Sequence, residues 1–246
     1  MEKRLAGNQN TSLLKIIALV FMVCDHFGKM LFPGVPEMRI LGRIAFPIYC
    51  WCVVVGVVYT KSEWKYALRL LLVGLISQPL YMAALNHTWT EPNIFLTLFL
   101  GVLALWGMKE KKAFSHVWAP VAALTLAAFL RCDYGWRGVL LMLLLYGARQ
   151  QKSAIAAVMV AFCLFWGTGS SVVKQFFSLP LVFLDWPHIG PIVQSFFRLQ
   201  GLAIMALPFV LIPMPQKVRL NKWVGYALYP LHLAVLLGCE YLAKMH

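Results

Sequence analysis

The sequence predicts an all-α fold: a polytopic integral membrane helical bundle, a single domain over residues 1–246, with about nine to eleven transmembrane segments and a broken, re-entrant region near 170–198. Three observations carry that expectation. Apolar residues make up 61% of the chain and charged residues 13%, against about 45–50% and about 25% in soluble domains. Mean hydropathy is +0.74, and the apolar residues fall in successive runs close to the roughly 20 residues that a span requires. Lys and Arg sit in the short connections between these runs, so the net charge of +13 reports membrane orientation and not a nucleic-acid footprint.

The first run, 12–32, follows a polar start and is too long for a signal-peptide core. It also lacks a small-residue cleavage site, so it reads as a retained first span. Further spans are expected at 40–60, 65–85, 92–108, 114–131, 136–149, 153–169, 199–214 and 223–243. Lys3, Arg4 and Lys15 put the N-terminus in the cytoplasm, because cationic residues accumulate there. Lys61, Lys65, Lys109, Lys111, Lys112, Arg149 and Lys152 fall on the same side if the first seven segments cross, whereas "NHTWTEPN" has no Lys or Arg, as an outer loop should. The protein is therefore expected in the cell (inner or plasma) membrane, in contact with the lipid bilayer.

Residues 170–198 are apolar but broken by Pro180, Pro187, Gly190 and Pro191. If this stretch dips in and returns on the outer side, the basic connection Lys217, Arg219 and Lys222 lies inside, which gives nine crossings with the C-terminus outside. A pair of short broken helices, making ten or eleven segments, is the alternative. Irregular backbone at membrane depth must be buried in protein or line a wet cavity, so the stretch is a candidate wall or lid. The six cysteines lie mostly inside or beside the apolar runs, with no pair at zinc-ligand spacing, and no metal site is expected.

Ionisable residues inside a span are costly and mark functional sites. In "KIIALVFMVCDHFGKM" Asp25 and His26 stand side by side within the first span. Lys15, Leu19, Met22 and His26 share one helical stripe, with Lys15 about 16 Å below His26 at about 1.5 Å per residue. Asp25 is turned about 100° away from His26 and is within one turn of Lys29. A histidine can take a proton from an attacking amine or hydroxyl, and a nearby carboxylate raises its basicity. A second histidine, His232, follows the helix-interior Pro230 in the last span, with Tyr229 on its face. Arg43, Asn93 and the cluster Arg131, Asp133, Tyr134 and Arg137 converge on the side towards which His26 lies, and together they suggest a polar cavity. Taken singly, the bland readings are a snorkelling arginine, a helix cap and a salt-bridged loop.

The segments "IALVFMVCDH", "GRIAFPIY", "NIFLTLFLG", "DYGWRGVLL" and "YPLHL", in that order over nearly the whole chain, resemble the TraX family, whose named member is the conjugative pilin acetylase. That family is similar in turn to a wider group of transmembrane acyltransferases, which includes bacterial polysaccharide O-acetylases and the lysosomal glucosaminide N-acetyltransferase. The polysaccharide enzymes have an arginine ahead of a histidine in their first span; here the matching positions are Lys15 and His26, and lysine keeps the charge without the bidentate geometry.

The resemblance implies acetyl transfer from cytoplasmic acetyl-CoA to an acceptor at the outer side: an amine such as a peptide or pilin-like N-terminus, or a glycan hydroxyl. Acetyl-CoA is the acyl donor, and no metal is involved. In that reading Lys15 holds CoA phosphates, while His26, with Asp25 and His232, carries the chemistry. His26 acts either as general base in direct transfer or as nucleophile through an acetyl-histidine. Arg43, Asn93, Asp133, Tyr134, Arg137 and Tyr229 support the site. From another class, a proton-coupled transporter or flippase would use Asp25, His26 and His232 as a proton relay.

Overall fold

A computed structural model describes residues 5–177, 179–215 and 218–245, the side chain of Lys222 excepted. Lys3, Arg4 and Lys217, which bear on orientation, lie outside the described residues, as does the side chain of Lys222. The fold is almost wholly helical. Its α-helices are α1 (Thr11–Met30), α2 (Pro36–Gly42), α3 (Ala45–Tyr59), α4 (Glu63–Leu85), α5 (Ile94–Glu110), α6 (Ser115–Phe129), α7 (Gly135–Ala148), α8 (Lys152–Gly167), α9 (Gly190–Phe196), α10 (Leu207–Leu211) and α11 (Lys222–Lys244). The exception to the all-α expectation is a hairpin of two-residue strands, β1 (Gln175–Phe176) and β2 (Leu179–Pro180).

Several of the longer helices start at a capping side chain, which satisfies one of the first orphan N–H groups. Asn10 accepts from the Leu13 amide ahead of α1 (3.1 Å), Asn93 from Phe95 ahead of α5 (3.0 Å) and Asn221 from Trp223 ahead of α11 (2.9 Å). Among the described residues, four helical segments are long and apolar enough to cross a membrane: Thr11–Met30, Pro36–Tyr59 across the α2–α3 bend, Glu63–Leu85 and Trp223–Lys244. The helices α5 to α8 run 14 to 17 residues. At about 1.5 Å per residue they reach about 21–26 Å, short of the roughly 30 Å hydrocarbon core. Outward faces carry exposed aliphatic and aromatic side chains such as Val20, Leu75, Ile76, Phe129 and Val235, an apolar coat that water does not tolerate and lipid does. The chain is a membrane protein.

At the centre stands α3, "AFPIYCWCVVVGVVY". It is apolar on every face, and almost all of its side chains are buried, as expected of a helix surrounded by others. Trp51 is fully buried, and its indole donates to the Asn8 carbonyl at 2.6 Å, which ties the N-terminal segment to the core. That segment also donates from Ala6 to Arg149 after α7 and from Asn8 to Val210 in α10.

Contacts between helix ends define two poles. Tyr59 at the end of α3 meets Gln9 before α1, and Lys109 near the end of α5 pairs with Glu63 at the start of α4. These mark the lower pole, where α1 begins. Lys29 reaches the Leu85 carbonyl at the end of α4, and Trp166 near the end of α8 packs on Phe46 at the start of α3; these mark the upper pole. Residues 170–198 form a loop whose ends meet there: Val173 donates to Phe197, Leu199 to Ser171 and Arg198 to the Thr168 and Ser170 carbonyls. Pro180 closes β2 and Gly190 opens α9, with Pro191 in its first turn, so the residues expected to break the stretch are found at element boundaries.

Candidate functional site

The site grows from the upper half of α1. Helix α2 packs directly on α1 because glycines stand at the crossings. A Cβ on Gly28 would meet Met38 at 2.6 Å, and one on Gly42 would run into the Asp25 side chain. Arg39 in α2 and Arg43, which caps its C-terminal end, lie one turn apart on one face, and both reach Asp25. Arg43 Nη2 lies 2.5 Å from Oδ1 and Arg39 Nη1 lies 3.2 Å from Oδ2. Asp25 and Arg43 are 8% and 6% exposed. Arg43 also donates to the Arg39 carbonyl and to Gln200 Oε1. The carboxylate of Asp25 therefore serves two guanidinium groups. It pairs with neither Lys29, which instead reaches the Leu85 carbonyl (3.4 Å) and His87 (3.5 Å), nor the imidazole of His26. For His26 the reason is the 100° offset along the helix; for Lys29 it is that Asp25 turns to the two arginines.

His26 meets His232. His26 Nδ1 and His232 Nε2 are 3.0 Å apart, and the two rings are stacked with centroids at 5.2 Å. Hydrogen-bond logic assigns the tautomers. The Leu228 carbonyl lies 3.3 Å from His232 Nδ1 and only accepts, so Nδ1 of His232 carries its proton. Nε2 of a neutral His232 is then an acceptor, and His26 Nδ1–H donates to it. The lone pair of a neutral His26 is consequently on Nε2. Tyr229, buried, sets its ring edge-on to both His232 and Phe95.

The connection between α6 and α7 closes the upper side. Arg131 and Tyr134 take left-handed backbone, which bends the chain so that Asp133 donates to the Pro92 carbonyl and its own carbonyl accepts from Thr97 Oγ1. The Tyr134 ring stacks on Phe46 at 3.6 Å between centroids. Burial pushes the Asp133 carboxyl up to about 6 and raises the Tyr134 hydroxyl as well. Among the described residues Arg131, Asp133 and Arg137 form no ion pair with one another, so the salt-bridged loop is not what is found. Arg137 lies over the Trp136 ring instead, at 5.2 Å.

These residues enclose a cavity of about 420 Å³ that includes Asp25, His26, Arg43, Asp133, Tyr134 and Arg137. A small void of about 20 Å³ lies below it and shares Asp25, His26, Asp133 and Tyr134 with it. A third, largely apolar cavity of about 190 Å³ shares Met22, Tyr49, Ile94 and Tyr229 with that void and ends at Lys15, Thr11 and Asn221 near the lower pole. His26 stands at the neck between the upper and lower spaces. Of the residues singled out in the sequence, Asn93 lies apart from all of this chemistry: it caps α5 and bonds Gln78 and the Gly74 carbonyl.

Sequence reasoning missed Arg39, Tyr81, His87, Trp166 and Gln200, all of which line the upper cavity. Arg39 had a signal, since Arg39 and Arg43 form an i, i+4 ridge beside a buried aspartate. Gln200 had none, because a fold is needed to bring residue 200 to residue 43.

A profile of the TraX protein family matches residues 10–240 of the chain. The chain is 28% identical over 221 residues to an uncharacterised protein of Rickettsia prowazekii (strain Madrid E), covering 87% of this chain and 84% of that one. It is 27% identical over 245 residues to a protein of Dichelobacter nodosus described as a probable fimbrial assembly protein, FimC of serogroup H1, covering 92% and 94%. No solved structure matches. The match spans both histidines, both arginines of α2 and every wall of the cavity line, and the chain belongs to the TraX family.

Proposed function

We propose that the protein is a membrane acetyltransferase that moves an acetyl group from acetyl-CoA, entering at the lower pole, to the free amino terminus of a peptide entering the upper cavity. The observation that carries this reading is the neck: one imidazole, with its lone pair assigned to Nε2, stands where a thin apolar cavity meets a wide polar one. A pantetheine arm is long, narrow and mostly uncharged, which suits the lower cavity. Lys15 at its far end suits the phosphates of CoA, and the polar upper cavity suits an acceptor. The relationship to a protein described as a fimbrial assembly factor favours a pilin-like peptide over a glycan.

In the step we infer, His26 Nε2 takes the proton from the amine as the nitrogen attacks the thioester carbonyl. The C–S bond then breaks, and the imidazolium returns the proton to the departing thiolate. His232 holds His26 in the required tautomer and accepts its Nδ1–H bond throughout. The orientation follows from charge: Lys61, Lys65, Lys109, Lys111, Lys112, Arg149 and Lys152 cluster by sequence at the lower-pole connections, which supports a cytoplasmic lower pole. With the ends of 170–198 meeting at the upper pole, nine crossings is the count we favour.

The test is thiol release from acetyl-CoA by the purified full-length protein in detergent, with and without peptides bearing free amino termini. Release that depends on acceptor is expected, and His26→Ala should lower it by about 10²–10⁴-fold. His232→Gln, whose carbonyl still accepts from Nδ1–H, should retain more activity than His232→Ala. A stoichiometric burst of CoA without acceptor would assign the acetyl-histidine route. No turnover with any acceptor would overturn the enzyme reading in favour of a proton-coupled carrier, which the same line of cavities would also suit.

A further inference from the structure

We propose that the acceptor is an acidic peptide, one whose free amino terminus reaches His26 while a carboxylate within its first few residues docks on Lys29, Arg131 and Arg137. The proposal rests on the acyltransferase reading and specifies its substrate class. The cavity wall carries five cationic side chains, Lys29, Arg39, Arg43, Arg131 and Arg137, against two carboxylates, Asp25 and Asp133. Asp25 is committed to Arg39 and Arg43. Among the described residues, Lys29, Arg131 and Arg137 have no carboxylate within 4.0 Å. The cavity therefore presents three more cations than anions to whatever enters it, and a ligand that brings its own carboxylate relieves that excess through charge-assisted hydrogen bonds.

The same field bears on the nucleophile. An α-amino group titrates near 7.7–8.0 in water, and as an ammonium ion it has no lone pair to attack with. Surplus positive charge within a few ångströms disfavours the ammonium form, so the cavity delivers the neutral amine at ordinary pH. A sugar hydroxyl is already neutral and gains nothing comparable, which is why the charge pattern favours a peptide. The acidic residue then holds the chain in a cavity whose field would repel a cationic one.

The experiment compares acetyl transfer to Gly-Gly-Asp-Gly amide, tetraglycine amide, Gly-Gly-Lys-Gly amide and glucosamine 6-phosphate, using the full-length protein in detergent. The acidic peptide should exceed tetraglycine amide in kcat/KM by about tenfold to a hundredfold, and the lysine peptide should fall below both. In Arg131→Gln/Arg137→Gln, two exposed positions whose replacement leaves the core intact, the acidic-to-neutral ratio should fall towards one. Equal rates for acidic and neutral peptides, or a preference for the amino-sugar phosphate, would overturn the proposal. If no acceptor were turned over, the enzyme reading would fail, and binding would decide the subsite by itself. The acidic peptide should then raise the melting midpoint of the wild type, and not of the double variant, more than tetraglycine amide does; no such difference would overturn it.

Discussion

Asp25→Asn separates a structural aspartate from a chemical one. In the wild type the carboxylate lies 2.5 Å from Arg43 and 3.2 Å from Arg39, with Asp25 and Arg43 both under a tenth exposed. The amide leaves the Arg43 guanidinium buried without a counter-charge. Breaking one side of a buried pair costs about 3–5 kcal/mol, whereas an exposed pair contributes about 0–1 kcal/mol. For a chain of 246 residues, at about 2–4 °C per kcal/mol, the melting midpoint in detergent should fall by roughly 6–20 °C. Arg39 contributes less to that loss because its side chain is 31% exposed and can turn to water. Asp25→Asn/Arg43→Met removes both charges and fills the volume with an apolar chain, so it should recover most of the midpoint. A loss under about 1 kcal/mol in Asp25→Asn, or a double variant no more stable than the single one, would refute the assignment of Asp25 as the lock between α1 and α2. Thiol release should return with stability in the double variant, and a well-folded but inactive double variant would give Asp25 a direct part in the chemistry.

Two further outcomes follow from the same geometry. Gly42→Ala puts a methyl group into the Asp25 side chain, and relief by separating α2 from α1 should cost about 1–3 kcal/mol by overpacking. Gly34→Ala, with nothing within 4 Å of its added carbon, should change the midpoint negligibly in the same melting experiment. Asp133, with its carboxyl pushed up from 3.8 to about 6 by burial, binds its proton more tightly folded than unfolded. Wild-type stability should therefore fall as pH rises from about 4 to about 6, by about 3 kcal/mol for roughly two units at about 1.36 kcal/mol each. Melting against pH for Asp133→Asn should show that slope removed, and a constant difference between variant and wild type would refute it.

Much of this arrangement is legible in the chain before it folds. Helix positions follow from the apolar runs, and Asn93, whose plain reading is a helix cap, is found capping α5. His26 and His232 are conspicuous because an imidazole in an apolar span needs a reason. Their direct contact is not legible, since nothing in the spacing of residues 26 and 232 says that α1 and α11 are neighbours. The partners of Asp25 are not legible in the sequence, for a local reason. Helical spacing offers Lys29 one turn away, but the side chain points towards α2, and a glycine there lets a second helix come close enough for two arginines to outcompete a lysine. The hairpin inside 170–198 was hidden by prolines that mark breaks without saying what lies between them.

The ion pair and the histidine pair depend on one another through α1. A charge buried among apolar helices is tolerable only when paired, and pairing Asp25 requires α2 to lie against α1 at Gly42 and to present Arg39 and Arg43 together. That crossing turns Asp25 to one side of α1 and leaves His26 on the adjacent side, facing α11 and the neck. A neutral residue at position 25 opposite a still-charged Arg43 would loosen α2 from its register, and the upper cavity, walled by Arg39 and Arg43, would lose one side. The adjacency of Asp25 and His26 is thus a division of labour across one helix: the aspartate holds the wall of the cavity, and the histidine stands at its floor with its lone pair uncommitted to the pair bond.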